Sequence, residues 1–187
     1  GYWRNYRVFC LVEPDGKPDI NATKCRILPP WTRFFCVLVA RNKMTKFHLD
    51  QRINWLNQTG GFNAVNGLKI VEWRDGNASL SVDLLAGHLN PLGLVHGGLH
   101  AAMLDVALAM TGSFRPAPDD LLPGLTLSLT LQYLTPLKLE DGFATAEAQR
   151  TGGGKSIFYA EGTVLAPDGR LIATATGVFK PGRKPAS

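Results

Sequence analysis

Residues 125–133 alternate without a break. Leu125, Leu127, Leu129, Leu131 and Tyr133 fall on one face, and Thr126, Ser128, Thr130 and Gln132 on the other. A period of two predicts a strand with one face turned to a core. Three more predicted strands follow, Gly142 to Arg150, Ser156 to Ala166 and Arg170 to Phe179. Their connections run through Gly152-Gly153-Gly154 and Pro167-Asp168-Gly169, the second a strong hairpin signal. Upstream, Leu68 to Trp73 and Ala78 to Leu85 read as two strands joined by a turn at Asp75-Gly76.

Between the two groups the pattern changes period. Residues 99–110 read LHAAMLDVALAM, apolar almost all the way round, which predicts a buried helix from Gly97 to about Ser113. A shorter helix is expected from Thr45 to Asn57, where Phe47, Leu49, Ile53, Trp55 and Leu56 recur, ended by Thr59-Gly60-Gly61. Residues 86–95 form a loop into the central helix, and Arg115 to Pro123 a Pro/Asp loop out of it; Pro181 to Ser187 is expected to fray. Two strands, one long buried helix and four strands with short turns make an α+β fold: an antiparallel β-sheet wrapped around a central helix.

The length of 187 residues suits one domain with a proper core, and the apolar and charged fractions are ordinary for a globular protein. The net charge of +5 suggests an acidic partner until its distribution is read. Residues 1–43 hold eight Lys/Arg and three Asp/Glu, whereas residues 44–187 hold twelve of each. The basic character therefore belongs to a leader, expected to be poorly ordered, and residues 44–187 form a neutral domain. Met44 reads as a native initiator, the alternative being that the leader is a short basic targeting or docking arm. All three cysteines, Cys10, Cys25 and Cys36, lie in the leader, so neither a disulfide framework nor a cysteine–histidine metal site is expected in the domain. The longest apolar run, Phe34 to Ala40, is too short to span a bilayer, and no signal-peptide pattern is present. These features point to the cytosol, with no membrane partner.

Candidate chemistry gathers at the central helix. Asp105 is its only charge, and its helical neighbours Ala101, Ala102, Leu108 and Ala109 offer no partner. A carboxylate in an apolar helix is costly unless it is paired. Asp105 therefore meets hydrogen-bond donors across a groove, or is held there for chemistry. Gly97 and Gly98 begin the helix, where N–H groups lack intrahelical acceptors and carry the positive end of the dipole. With no side chains in the way, a ligand oxygen can approach them closely. A polarised carbonyl there, with a carboxylate two turns on, roughly 10 Å along the axis, would suit attack on an acyl group.

Asn90, Gly93, His96-Gly97-Gly98 and Asp105, followed by Gly124-Leu125-Thr126 and Tyr133-Leu134-Thr135-Pro136, resemble the signature of the hotdog-fold acyl-CoA thioesterases, in their phenylacetyl-CoA thioesterase-like branch. The resemblance covers roughly Lys46 to Pro181. It implies that Asp105 activates water as a general base or attacks the thioester itself, and that Gly97 gives the N–H that polarises the carbonyl. It also implies that Asn90 lies near the thioester. Thr126 stands where relatives often carry a Ser that holds the nucleophilic water. His96 is either a base or a hydrogen-bonded structural group at the helix start, and His100 one turn later lines the site or the core. Gly98 permits close packing of helix on sheet and lies against the substrate. Arg150 and Lys155, flanking the triple glycine, are either solvated turn charges or, by resemblance, contacts for the coenzyme A phosphates. The same resemblance implies a homodimer or dimer of dimers, with Asp105 of one subunit facing Gly97 of the other, and no metal or redox cofactor, coenzyme A being part of the substrate.

The expectation is an acyl-CoA thioesterase that releases a free acid and CoA from an aryl- or medium-chain thioester. A hotdog dehydratase or hydratase is the enzymatic rival, although the Asn90-to-Asp105 pattern fits hydrolysis better. A non-catalytic acyl-CoA-binding module would need no buried carboxylate. The leader shows no helix-turn-helix periodicity, so no nucleic-acid partner is expected.

Overall fold

Six strands form one antiparallel sheet in the order β1-β2-β4-β5-β6-β3. The strands are β1 (Lys69–Arg74), β2 (Asn77–Asp83), β3 (Leu125–Tyr133), β4 (Phe143–Gly153), β5 (Phe158–Leu165) and β6 (Leu171–Lys180). The computed structural model describes residues 49–58, 60–114 and 124–182. The chain divides between Lys43 and Met44, and all of these residues lie in the second unit. The leader with its cysteines, the loop from Arg115 to Pro123 and residues 183–187 fall outside the described residues.

Helix α1 covers residues 49–58 and the short α2 covers Phe62–Val65, a turn that the glycine pair at 60–61 had concealed. The Asn57 side chain reaches from α1 to the backbone of β1, donating to the Ile70 carbonyl (2.9 Å) and accepting from the Ile70 N–H (2.8 Å). The long helix α3 (Gly97–Thr111) packs against all six strands. Its Met103, Leu104, Ala107 and Leu108 sit in a core with Trp73, Leu80, Val82, Phe158, Val164, Ile172 and Phe179. Near the helix end, Trp73 donates its indole N–H to the Met110 carbonyl (2.9 Å), and Ser113 accepts from the Gly124 N–H (2.9 Å).

The central helix is not buried all round. Ala101, Ala102, Asp105, Val106 and Ala109 are only half-buried, because β3 is the last strand of the sheet and no further strand among the described residues covers that flank. Two glycines bring helix and sheet together where the sequence had singled out none. A Cβ on Gly112 would overlap the Phe158 ring, and one on Gly162 would press on Leu108 and the Glu147 carbonyl.

Several strand ends shift by a residue or two from the expected limits, and at two of them the backbone shows why. β4 runs on through Gly153, with a bulge between Arg150 and Gly152, so these glycines serve a bulged strand end and the turn falls at 154–157. Gly153 takes φ +105, and a side chain there would meet the Phe158 backbone. β2 stops at Asp83 because the chain bends into a 3-10 turn, Ala86–His88.

The larger departure lies in β3. Thr126 pairs with Phe179 and Ser128 with Val178, so Leu127 is an extra residue. Below the bulge, Leu129, Leu131 and Tyr133 oppose the inward-facing Gly177, Ala175 and Ala173. Above it Thr126 opposes the buried Phe179 and therefore shares the inner face with those three. An unbroken alternation would have turned Thr126 outward.

Candidate active site

The chain enters α3 through a turn built on Asn90. Its Oδ1 accepts from the Leu92 N–H (2.9 Å) and the Leu94 N–H (3.1 Å), and its carbonyl accepts from Gly93 (2.9 Å), which takes φ +75. Such self-bonding is what the short Asn side chain does in turns. Among the described residues the Asn90 amide nitrogen has no partner, so it is the half of the side chain open to a ligand.

His96 is the N-cap of α3. Its Nδ1 accepts from the Gly98 N–H at 2.8 Å, and its backbone is extended. The neutral ring therefore carries its proton on Nε2. One of the two helix-start donors is thus already used. Gly98 is exposed rather than packed on the sheet, and a side chain there would run into the His96 ring 2.8 Å away. The Gly97 N–H has no acceptor among the described residues. The neighbour of Gly97 is Tyr133 at the far end of β3, whose hydroxyl donates to the Gly97 carbonyl (3.3 Å).

Two turns along the helix, the Thr126 hydroxyl donates to Asp105 Oδ1 at 2.6 Å. Asp105 thus has its donor across a groove, on the strand facing α3, and stands half-exposed, its second oxygen without a partner among the described residues. Eight residues separate it from Gly97, about 12 Å along the axis. Asp105 and Thr126 form one end of a groove between α3 and β3, and Gly97 and Tyr133 the other.

Arg150 and Lys155 lie elsewhere, at the β4–β5 hairpin. Arg150 bonds the carbonyls of Gly152 (3.2 Å) and Gly154 (3.4 Å) and lies over the Phe158 ring, 5.4 Å from its centroid. It ties the bulged hairpin down, while Lys155 is exposed with no ion pair among the described residues. His100 is buried behind Tyr133, and neither ring nitrogen has a hydrogen-bond partner among the described residues. Burial, reinforced by the nearby His96, holds its pKa below the ordinary histidine value.

No group of three or more His, Cys, Asp or Glu side chains that could hold a metal occurs among the described residues. No described helix is long and apolar enough to cross a membrane.

The thioesterase-superfamily profile matches residues 92–173, a span that contains His96, Gly97, Asp105, Thr126 and Tyr133. The described residues adopt the hotdog fold, and over this span the chain is similar to the thioesterase superfamily. Its sheet and central helix are similar to a mutant form of the phenylacetic acid degradation protein PaaI from Thermus thermophilus (28% identity, TM-score 0.56, covering 64% of this chain and 96% of that one). They are also similar to the PaaI protein from the phenylacetic acid degradation operon of E. coli (20%, 0.61, 70% and 91%) and to zebrafish thioesterase superfamily member 2 (20%, 0.60, 72% and 96%). At 20% identity these last two carry the fold alone. No curated protein matches the chain by sequence.

The hotdog fold brings Asp105 and Thr126 together, keeps the Gly97 N–H open and uses His96 as a cap. It places Arg150 and Lys155 on a different hairpin. Tyr133 belongs to the groove although the alternation had shown it only as the last apolar position of its strand. The signal that could have found it is its phenol, a polar tip on an otherwise aliphatic face.

Proposed function

We propose that this hotdog domain is an acyl-CoA thioesterase acting on an aryl- or medium-chain acyl group. Asp105, oriented by Thr126, draws a proton from water. The water oxygen attacks the thioester carbonyl carbon, whose oxygen is held by the Gly97 N–H. The C–S bond then breaks, and CoA leaves as a thiol with the proton returned from Asp105. The Asn90 amide nitrogen and the solvated Nε2 face of His96 stand near the helix start, where they help to place the substrate. Lys155, with Arg150 shaping its hairpin, is offered to the phosphates of coenzyme A.

The observation that carries the reading is the separation of the two halves of the site. A carbonyl held about 2.9 Å from the Gly97 N–H and about 3 Å from an attacking water cannot span 12 Å of helix. One copy therefore supplies Gly97 and a second copy supplies Asp105. The edge strand β3 supports this arrangement. Its outer backbone has no strand partner among the described residues, and Leu125, Leu127, Tyr133 and Leu134 are exposed along it. Antiparallel pairing of two β3 strands about a twofold axis near their middle sets the Thr126 end of one against the Tyr133 end of the other. Asp105 of one copy then faces Gly97 of its mate across the seam, in a homodimer or a dimer of dimers.

Thiol release from phenylacetyl-CoA and a series of aliphatic acyl-CoAs tests the reading, with Asp105→Asn as control. That change keeps the side-chain size and removes the base, so kcat should fall by roughly 10²–10⁴ with folding intact. Activity within a few-fold of the parent would overturn it.

A further inference from the structure

His100 is 4% exposed, yet both of its ring nitrogens lack a partner among the described residues. An unmet buried donor or acceptor costs about 1–3 kcal/mol, so a neutral imidazole with both nitrogens orphaned is expensive in a wall that Leu would fill without loss. Its surroundings are those of the groove. The ring lies 6.3 Å, centroid to centroid, from Tyr133, which itself stands against Gly97. His100 is one turn beyond Gly97, about 4.5 Å along the axis. Its cover is lightly held: Tyr133 is 58% exposed, and the hydrogen bond its hydroxyl makes among the described residues, to the Gly97 carbonyl, is long at 3.3 Å. A turn of the phenol away from the groove uncovers the imidazole beside the place where the thioester oxygen binds.

We propose that His100 is a specificity-determining residue of this site, its ring taking the hydroxyl of an acyl group oxygenated two carbons beyond the thioester carbonyl. With the carbonyl held at the Gly97 N–H, an oxygen on that carbon comes within reach of a ring one helical turn further on. A neutral imidazole serves such a hydroxyl from either nitrogen, as donor or as acceptor. The proposal rests on the thioesterase reading for the position of the carbonyl. A site built to hydrogen-bond a substrate hydroxyl discriminates strongly against the analogue that lacks it, because its own polar groups are then left unmet.

The test uses hexanoyl-CoA and 3-hydroxyhexanoyl-CoA, with kcat/KM from thiol release on the full chain, alongside His100→Phe and His100→Gln. The parent should favour the hydroxylated thioester by about tenfold or more. His100→Phe should bring the ratio close to one, and His100→Gln should leave it between the two. A ratio unchanged by His100→Phe, or equal losses on both substrates, would overturn the proposal, since a purely structural histidine acts on both alike. The imidazole ¹⁵N resonances of the parent, titrated with hexanoate and 3-hydroxyhexanoate, give a readout independent of turnover. They should move with the hydroxy acid alone. If neither thioester is hydrolysed, the thioesterase reading fails while the resonances still decide the role of His100. Resonances that respond to neither acid overturn it.

Discussion

The Thr126 hydroxyl donates a 2.6 Å hydrogen bond to Asp105, and the bulge at Leu127 is what turns Thr126 toward α3 to make it. One extra residue in an edge strand thus converts an outward threonine into the orienting partner of the only charge on the central helix. The bond engages one carboxylate oxygen, and in the proposed mechanism the other takes the reacting water. Thr126→Val keeps the shape and removes the donor. A hydrogen bond to a charged group is worth about 1.5–3 kcal/mol, so kcat should fall roughly tenfold to a hundredfold, while Thr126→Ser should stay near the parent. Steady-state kinetics on the three proteins check this, and equal activity in Thr126→Val would remove Thr126 from the site.

Gly97→Ala separates polarisation from packing. The new methyl group would lie 3.1 Å from the edge of the Tyr133 ring, an exposed side chain with room to give. The protein should therefore melt close to the parent temperature, yet lose on the order of 10²–10³ in kcat as the thioester oxygen is pushed from the N–H. A destabilised variant with full activity per folded molecule would show that Gly97 only packs.

Leu127→Lys addresses assembly. Leu127 is the bulged residue and 55% exposed. A lysine on an edge strand discourages strand addition. The variant should sediment as a monomer with an unchanged far-ultraviolet circular dichroism spectrum, and its thiol release should be lost with the dimer. A fully active monomer would refute the shared site.

The pH dependence of stability reports on His100. Its folded pKa lies below the reference value of 6.5, chiefly through burial and secondarily through His96. Between the two values the unfolded chain binds the proton and the folded chain does not. Stability from this group is therefore present in full above about pH 6.5 and declines as the pH falls through that value toward the folded pKa. Melting temperatures measured from pH 8 down to 5 should show this acid-side decline, and His100→Phe should flatten its share of it. Parallel curves for the two proteins would contradict the shift.

The six strands and the central helix were legible because period-two and all-apolar runs are long here and glycine turns punctuate them. Asp105 was legible as a lone charge in an apolar helix, and Gly97 as a side-chain-free helix start. Thr126 was marked by its place in a motif, but its partner was hidden, because a bulge leaves no trace in an alternating sequence and depends on pairing with Phe179 some fifty residues on. The open flank of α3 was hidden for a similar reason. Apolar residues on every side of a helix mark surface to be covered, without saying whether the same chain covers it. His96 was readable either as a base or as a hydrogen-bonded group at the helix start, and its Nδ1 on the Gly98 N–H makes it the cap. Arg150 lies beside Gly152 and Gly154 in sequence, yet its grip on both carbonyls follows from the bulge that folds the strand end back.

The clamp of Asn57 on Ile70 gives the two rims of the sheet different fates. At β1 a carboxamide already occupies the backbone donor and acceptor of Ile70, as a neighbouring strand would. At β3 the rim carries no strand among the described residues. A sheet with two bare rims could add copies head to tail without limit, and its natural end point would be a fibre. If two β3 strands pair about a twofold axis as proposed, the stoppered β1 rim ends growth at that first encounter. The asparagine on α1 would then help to keep such an assembly finite.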